Sequence, residues 1–312
     1  MSFEHLSTEH LVAVTNWHEY KRDRTVSSRV SANATTLEQQ IFETLEQEFG
    51  HLERIGGGFQ SRVYAVIGTN GQPERIIKVF RESIGLNRLE AFNMVRAGFG
   101  DWVLGARNLN GLELLEIRHL PGKPLEADDI VKAMQGMTSF LHKLHAHIGF
   151  ESVNLAGVRA KLERFRRTLN EPDHEPLFKL VRNALQLGTL EVEARLCHLD
   201  LHSANILMTE DGQVLVVDWT RSDWDDPARD IAIFTTGTLD QLEVETAFEL
   251  GFGLAKTEGV QARFGAYIAL QTLNDLHWFR TRNPTGYEQA HAIKLPRALK
   301  ILELLEASFS DG

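Results

Sequence analysis

The feature that most constrains this chain is the stretch of residues 196–230, LCHLDLHSANILMTEDGQVLVVDWTRSDWDDPARD. It contains two short apolar runs, residues 204–208 and 214–217, joined by the turn residues Glu-Asp-Gly, and this pattern predicts a β-hairpin. Strand pairing brings the outer ends of a hairpin together, so the flanking polar residues are expected to meet. These are His198, Asp200 and Asn205 at the first run and Asp218 after the second.

The residue types at this place suit one kind of chemistry. Asn205 and Asp218 offer the hard oxygen ligands that Mg²⁺ prefers, and Asp200 offers a carboxylate that can accept a proton. Transfer of a γ-phosphoryl group depends mainly on positioning and charge neutralisation, so it needs few protein groups beyond these. The stretch therefore predicts a phosphoryl-transfer site; a hairpin with solvated polar ends is the alternative.

Three motifs in order, HLDLHSANIL, VVDW and DDPARD, resemble those of the aminoglycoside phosphotransferase and choline kinase family, the small-molecule branch of the protein-kinase-like fold. The resemblance implies that His198 and Asp200 belong to the catalytic loop, with Asp200 as the base. It also implies that Asn205 and Asp218 bind Mg²⁺. Asp230 is implied to fix the loop by hydrogen bonds to His198 or to nearby backbone.

Two positions depart from the family pattern. Leu199 stands where the family prefers glycine, and Asp225 stands where glycine commonly precedes the Asp-Pro pair. The first departure leaves the catalytic groups in place, so it bears on loop packing and on the substrate more than on the reaction. Cys197, next to His198, is expected to be a buried packing residue, because free cysteine is usually buried.

Upstream of residue 119 the resemblance implies a nucleotide-binding region. Gly56, Gly57 and Gly58 precede an alternating apolar run, and glycine lets backbone amides approach phosphate oxygens. Lys78 lies in an otherwise apolar strand, where a lysine is costly to bury unless it is paired. It resembles the kinase lysine that holds phosphates; the expected partner is Glu90, with Glu82 as the second choice and an unpaired edge lysine as the alternative.

The backbone from Glu116 to Arg118 resembles the hinge that pairs with the adenine edge. We therefore expect an α+β, two-lobed, protein-kinase-like fold with a small β-rich N-lobe and a larger, mostly helical C-lobe. The expected divisions are a helical extension over residues 1–44, a nucleotide-binding lobe over 45–118 and a catalytic, substrate-binding lobe over 119–312.

Two groups of polar residues in the helical region have a structural interpretation. His142 and His145 lie three residues apart on a predicted helix, but zinc sites require three or four ligands, so packing is favoured over metal binding. A basic run is expected to be the solvated face of an amphipathic helix. This basic run comprises Lys161, Arg164, Arg166 and Arg167.

Composition excludes several classes of protein. The 312 residues are 43% hydrophobic and 24% charged, as in a globular protein, and a net charge of −10 argues against nucleic acid as a partner. No apolar run approaches the roughly 18 residues that span a bilayer, and the N-terminus lacks a signal-peptide pattern. A single cysteine excludes an internal disulfide. Together these features predict a cytoplasmic protein without a membrane partner; they do not indicate an oligomeric state.

The sequence thus predicts an ATP- and Mg²⁺-dependent phosphotransferase that acts on a hydroxyl of a small molecule. An amino sugar, an amino alcohol such as choline, a sugar, a macrolide and homoserine all remain open as acceptors, and GTP could replace ATP. A protein serine/threonine kinase of the same superfamily is an alternative, although no Ala-Pro-Glu motif follows Asp218. A non-catalytic nucleotide-binding module is the third possibility.

Overall fold

The computed structural model describes residues 32–57, 61–80 and 85–310. Gly58, Glu82 and most of the predicted N-terminal extension lie outside the described residues. The chain divides into two compact units, with the boundary between Pro121 and Gly122.

The described α-helices and strands of the first unit are α1 Ala32–Phe49, β1 Leu52–Gly57, β2 Ser61–Ile67, β3 Pro73–Phe80, α2 Leu86–Arg96, β4 Val103–Leu109 and β5 Leu112–Arg118. The strands form one antiparallel sheet with the order β1-β2-β3-β5-β4. Asn110 and Gly111 adopt positive φ angles of 49° and 86°, which suits the tight two-residue turn between β4 and β5. Leu45 of helix α1 is completely buried and packs with Tyr64, Ile77 and others in the core.

The second unit is mostly helical. Its described strands are β6 Lys123–Pro124, β7 Ile148–Ser152, β8 Glu193–Cys197, β9 Ile206–Met208, β10 Val214–Val216 and β11 Asp223–Asp225. Its helices are α3 Ile130–His145, α4 Leu155–Arg166, α5 Glu175–Gln186, α6 Pro227–Gly237, α7 Val244–Thr257, α8 Gln261–Arg282 and α9 Tyr287–Ser310. The predicted α+β class, with a β-rich first part and a mostly helical second part, is confirmed.

The stretch that dominated the sequence forms two short strand pairs. Strands β9 and β10 pair antiparallel with Met208 opposite Val214, which confirms the predicted hairpin. Strands β8 and β11 pair antiparallel with Cys197 opposite Asp223. Helix α6 then begins at Pro227, where Asp226 caps it by accepting a hydrogen bond from Ala228 N at 3.0 Å.

Across the described residues, no helix combines the length with the apolar composition that crossing a bilayer requires.

Candidate active site

Two connecting segments of the second unit carry the polar residues singled out in the sequence. Residues 198–205 lead from β8 to β9, and residues 217–222 lead from β10 to β11. Because β8 pairs with β11 and β9 with β10, the two segments run beside each other. Val217 N donates to Asn205 O at 2.9 Å at one end, and Ser222 Oγ donates to Cys197 O at 2.7 Å at the other.

The carboxylate of Asp200 is buried between these segments and is held from two sides. Asn205 Nδ2 donates to Asp200 Oδ2 at 3.2 Å and to the Asp200 carbonyl at 3.0 Å. From the other segment, Arg221 Nη1 donates to Asp200 Oδ1 at 3.2 Å. The carboxylate is therefore fixed in orientation, as a proton acceptor must be if it is to meet a hydroxyl in one geometry.

Asn205 and Asp218 provide the type of oxygen atom that suits Mg²⁺. Asn205 Nδ2 is used in the two bonds to Asp200, which leaves Oδ1 as the atom that can ligate an ion. Asp218 follows β10 with a left-handed backbone, φ 67°, and its Oδ1 accepts from Thr220 Oγ1 at 2.6 Å. An amide oxygen and a carboxylate form a hard donor set, which fits Mg²⁺ better than a softer metal.

Asp230 is completely buried in the first turn of α6 and anchors the loop before β9. Its Oδ2 accepts from His198 N at 2.8 Å and its Oδ1 accepts from Leu199 N at 2.7 Å. Two backbone N–H groups bound to one buried carboxylate fix the start of the loop, because hydrogen bonds to a charged acceptor are the strong ones. The expected partner of Asp230 is thus backbone, and the ring of His198 takes no part.

The ring of His198 occupies a packing position. It is completely buried and lies edge-on to Trp219, with ring centroids 4.7 Å apart and planes at 80°. Within the described residues neither ring nitrogen has a hydrogen-bond partner, and burial lowers the pKa of His198, which favours the neutral ring. This position suits a residue that supports the loop rather than one that contacts reactants.

Leu199 explains why a glycine is preferred at its position in the family pattern. Its φ is 62°, in the left-handed region, while its side chain is 93% buried and its N–H is tied to Asp230. A left-handed backbone costs an L-residue with a Cβ about 1–2 kcal/mol. Burial of the leucine side chain and the bond to Asp230 offset this cost.

This conformation predicts an inverted order of stability for two truncations. In urea unfolding, the free energy of unfolding of Leu199→Gly is expected to exceed that of Leu199→Ala by about 1 kcal/mol, because glycine adopts this left-handed backbone without strain. Both variants fall below the wild type, since each loses a buried leucine side chain. At Leu141, buried in helix α3, the alanine variant should instead be more stable than the glycine variant, because alanine favours the helix. The same order at both positions would contradict the left-handed backbone of Leu199.

His145, at the end of α3, is buried between two carboxylates. Its Nε2 lies 3.2 Å from Asp230 Oδ2 and its Nδ1 lies 3.1 Å from Glu258 Oε2, just after α7. Burial alone would lower the pKa of His145, but the bonds to Asp230 and Glu258 outweigh it and raise the pKa to about 9. The imidazolium therefore balances the buried charge that anchors the loop.

The linkage between protonation and folding gives a pH-dependent stability. The pKa of His145 rises from 6.5 in the unfolded chain to about 9, so its contribution is complete below pH 6.5 and disappears as the pH rises through 9. Between these pH values the wild type should lose about 3 kcal/mol that His145→Gln does not lose. Urea unfolding of both proteins at several pH values measures the difference. His51→Gln, at a mostly exposed histidine, should follow the wild type; parallel curves for all three proteins would contradict the imidazolium assignment.

His145, Cys197 and Asp230 form a group of three potential metal ligands, which the sequence alone did not indicate. The ligand atoms of His145, Cys197 and Asp230 lie within 4.8 Å of one another. However, both ring nitrogens and both carboxylate oxygens of this group already have hydrogen-bond partners. Burial raises the pKa of the Cys197 thiol well above its usual value, so the thiolate that a metal needs is disfavoured. The group is best explained by packing and hydrogen bonding.

The first unit places Lys78 beside Glu90. Lys78 Nζ on β3 lies 2.6 Å from Glu90 Oε2 on α2, and both side chains are more than nine-tenths buried. The expected pairing is therefore present, and Glu90 is a direct partner of Lys78. The carboxylate fixes the direction of the buried lysine side chain and compensates the cost of burying its charge.

The glycines at the end of β1 allow two strands to come close together. Gly57 has φ 139°, and a Cβ there would lie 2.8 Å from the carbonyl oxygen of Ser61 on β2. Gly56 lies next to it in the same strand, which has an irregular register after Arg54. This close approach requires glycine at Gly57 regardless of any ligand.

The two residues proposed for the hinge differ in their backbone environment. In an antiparallel strand, the backbone N–H and C=O groups of successive residues point alternately toward the two neighbouring strands. His119 N donates to Glu74 O at 3.3 Å, so the backbone groups of His119 point toward the β3 side. The backbone groups of Glu116 and Arg118 therefore face the β4 side. Glu116 is paired there with Gly105, whereas β4 starts at Val103 opposite Ile117, one residue short of Arg118. Glu116 therefore has a strand partner on the β4 side, whereas the backbone groups of Arg118 face that side with no described strand residue opposite them.

Arg221 is the residue of this site that the sequence interpretation missed. It lies three residues after Asp218, and its guanidinium contacts Asp200 directly. The available signal was an arginine in the segment from Asp218 to Asp230, in which Arg221 and Arg229 are the two basic residues and the other charged residues are acidic.

The expected solvated basic run is only partly correct, because Lys161, Arg164 and Arg166 are half-buried in the structure.

Solved structures with a similar fold are kinases of small molecules. Aminoglycoside phosphotransferase APH(4)-Ia, as a thermostable mutant in complex with AMP-PNP and hygromycin B, superposes with a TM-score of 0.63 at 17% identity over 84% of this chain and 97% of that chain. A choline/ethanolamine kinase family protein from Mesorhizobium loti gives 0.61 at 17% identity over 85% and 95%. Choline kinase LicA from Streptococcus pneumoniae gives 0.58 at 17% identity over 86% and 99%. The fold is therefore kinase-like.

The polar side chains of the two connecting segments, carried on this kinase-like fold, suit phosphoryl transfer. The model of the phosphotransferase enzyme family matches residues 51–260, and the chain belongs to that family. The predicted class of enzyme is confirmed.

Proposed function

We propose that this protein transfers the γ-phosphoryl group of ATP to a hydroxyl of a small molecule. The observation that carries the proposal is the orientation of Asp200, whose carboxylate is held by Asn205 and Arg221 beside the oxygen ligands expected for Mg²⁺. The kinase-like fold and the family match support the same reaction. Structures of relatives that contain AMP-PNP or ADP support an adenine nucleotide as the donor.

In the proposed reaction Asp200 orients the acceptor hydroxyl and receives its proton. The hydroxyl oxygen forms a bond to the γ-phosphorus while the bond from that phosphorus to the β,γ-bridging oxygen breaks, and ADP leaves with the electron pair. The proton on Asp200 then passes to solvent. Arg221 keeps the carboxylate in place, and Asp230 holds the loop that carries it.

Asn205 and Asp218 are the residues proposed to hold Mg²⁺. The ion, when bound, would neutralise charge on the phosphate oxygens. Asn205 contributes Oδ1, since its amide nitrogen is bonded to Asp200, and Asp218 contributes its carboxylate.

The proposed nucleotide-binding residues lie in the first unit. Lys78, held by Glu90, would contact phosphate oxygens, and the backbone around Gly56 and Gly57 would approach them. Arg118 is the residue whose backbone would meet the adenine edge. We assign nucleotide binding to residues 45–118 and acceptor binding to residues 119–312, as the sequence predicted.

The test is ADP release from Mg²⁺–ATP across a panel of amino sugars, amino alcohols, sugars, hydroxy acids and hydroxy amino acids. An acceptor that increases ADP release, together with a phosphorylated product found by mass spectrometry, supports the proposal. ADP release that no small molecule increases, with transfer of label from γ-labelled ATP to cell protein, would instead support a protein kinase. Nucleotide binding without any turnover would contradict catalysis.

A further inference from the structure

We infer that the acceptor of this enzyme carries an anionic group, a carboxylate or a phosphate, which binds at a cationic recess formed by α4, α6 and α8. The inference deepens the proposed function and rests on it. The observations that carry it are the residues that line the recess, an unpartnered buried hydroxyl within it, and a surplus of positive charge.

The recess is lined by polar and cationic side chains over an apolar floor. Lys161 of α4 and Arg229 of α6 face it together with Tyr267, Gln271 and Asn274 of α8, while Phe165 and Leu270 form the floor. The space within the recess is about the size of one water molecule, so it admits one oxygen atom of a carboxylate or phosphate, with the rest of that group at the opening. The remainder of an acceptor would lie outside the recess.

Tyr267 provides an independent sign of a missing partner. Its side chain is 99% buried, and within the described residues its hydroxyl has no hydrogen-bond partner. Buried polar groups are almost always hydrogen-bonded, because an unsatisfied one costs about 1–3 kcal/mol. A bound oxygen acceptor in the recess would satisfy this hydroxyl.

Positive charge in and around the recess exceeds negative charge. Arg229 is paired with Asp225, the residue that stands in place of the usual glycine. Arg221 is paired with Asp200. Lys161 has no carboxylate within ion-pair distance among the described residues. The charge of Arg229, together with burial, lowers the pKa of Lys161 to about 7, and the charge of Asp225 only partly opposes this. Neighbouring Arg164 and Arg221 lower it further, as like charges do.

A cation crowded by other cations is unfavourable in the free protein and becomes favourable when an anion binds. The recess also lies within the electrostatic reach of Arg221, whose guanidinium contacts the base. Arg221 thus acts electrostatically on the recess that would bind the acceptor's anionic group, and it also contacts the Asp200 carboxylate that would receive the proton of the acceptor's hydroxyl. A cationic acceptor, such as an amino sugar or choline, would be repelled at the same place.

The test compares acyclic polyols of matched shape and different charge, namely D-gluconate, D-glucitol 6-phosphate, D-glucitol and D-glucamine. Each is assayed with Mg²⁺–ATP for the wild type, Lys161→Met, Tyr267→Phe and Lys179→Met. Lys179 is an exposed lysine of α5 and serves as the matched control. Lys161→Met removes a charge from a cationic cluster, so it is expected to fold at least as well as the wild type.

We expect turnover with an anionic polyol and an increase in KM of about 10- to 100-fold in Lys161→Met, with kcat little changed, since a hydrogen bond to a charged group has this effect. Tyr267→Phe should raise KM about threefold to tenfold, and Lys179→Met should leave it unchanged. Whether gluconate or the phosphate ester gives the lower KM distinguishes a carboxylate from a phosphate. Preference for glucitol or glucamine, or equal KM in all variants, would overturn the anionic assignment while leaving the kinase activity intact.

Binding without turnover is measured in parallel, as the rise in melting temperature that each anionic polyol produces. A rise in the wild type and Lys179→Met that is absent in Lys161→Met supports the recess even if no polyol is phosphorylated, because the proposed function is tested separately by the wider acceptor panel. Equal rises in all three proteins, or no rise in any, would overturn the recess.

Discussion

Replacing Asp200 with asparagine is expected to reduce turnover by about 10²- to 10⁴-fold, the usual contribution of a positioned proton acceptor. Asparagine has nearly the same shape and can still accept a hydrogen bond from Arg221, which now contacts Asp200 Oδ1 at 3.2 Å. The new NH₂ group would face Asn205 Nδ2, which keeps its bond to the backbone carbonyl of residue 200, so the variant should fold with a melting temperature some degrees below the wild type. The loss should appear in kcat, because the amide cannot take the proton of the hydroxyl.

The matched control for this substitution is Asp211→Asn at the exposed turn of the same hairpin. Its turnover should stay within about twofold of the wild type, as is usual for surface substitutions. Titration with AMP-PNP should give similar affinities for the wild type and both variants. Turnover retained by Asp200→Asn would remove Asp200 from the proposed mechanism, and loss of turnover together with unfolding would make that measurement uninformative about chemistry.

The largest effect on stability is expected for Asp230→Asn, at about 3 kcal/mol. The carboxylate accepts two backbone N–H groups at 2.8 and 2.7 Å and lies 3.2 Å from His145 Nε2. An amide has only one oxygen, so its NH₂ group would face a donor, and the charge opposite the imidazolium would be lost. Urea unfolding measures the change in stability. Under conditions in which the variant is still folded, its rate of ADP release should also be at least tenfold lower than that of the wild type.

Asp128→Asn, at an exposed aspartate in the second unit, is the control for this result. It should change the free energy of unfolding by less than about 0.5 kcal/mol. Equal stability of both variants would show that the bonds to His198 and Leu199 add nothing to the fold. Reduced stability with full turnover in Asp230→Asn would show that the loop keeps its geometry without this anchor.

Local patterns in the chain predict the main features of the fold. Alternating apolar residues and an Asn-Gly pair predict the strands of the first unit, and the apolar runs around the Glu-Asp-Gly turn predict the hairpin of the second. The contact of Asp200 with Asn205 could be expected because they lie five residues apart in one connecting segment. The pairing of Lys78 with Glu90 could be expected because a lysine in an apolar strand requires a partner.

Other features depend on packing between segments that are distant in the chain, and no local pattern encodes them. Lys161 belongs to a basic run typical of a solvated helix, yet α6 and α8 cover part of it. Arg221 could be noted as a basic residue, but its contact with Asp200 depends on how two connecting segments lie side by side. His145 has partners 85 and 113 residues away in the chain, and its charge depends on both.

The arrangement of His145 between Asp230 and Glu258 has an evolutionary consequence. Three helices and their flanking residues share one imidazolium and two carboxylates, so replacing His145 alone leaves both carboxylates without their cation. Substitutions in this set are therefore expected to occur in pairs, such as a neutral residue in place of His145 together with a neutral residue in place of Glu258. Comparison of divergent relatives should reveal this as correlated substitution at these positions, although they are far apart in the chain.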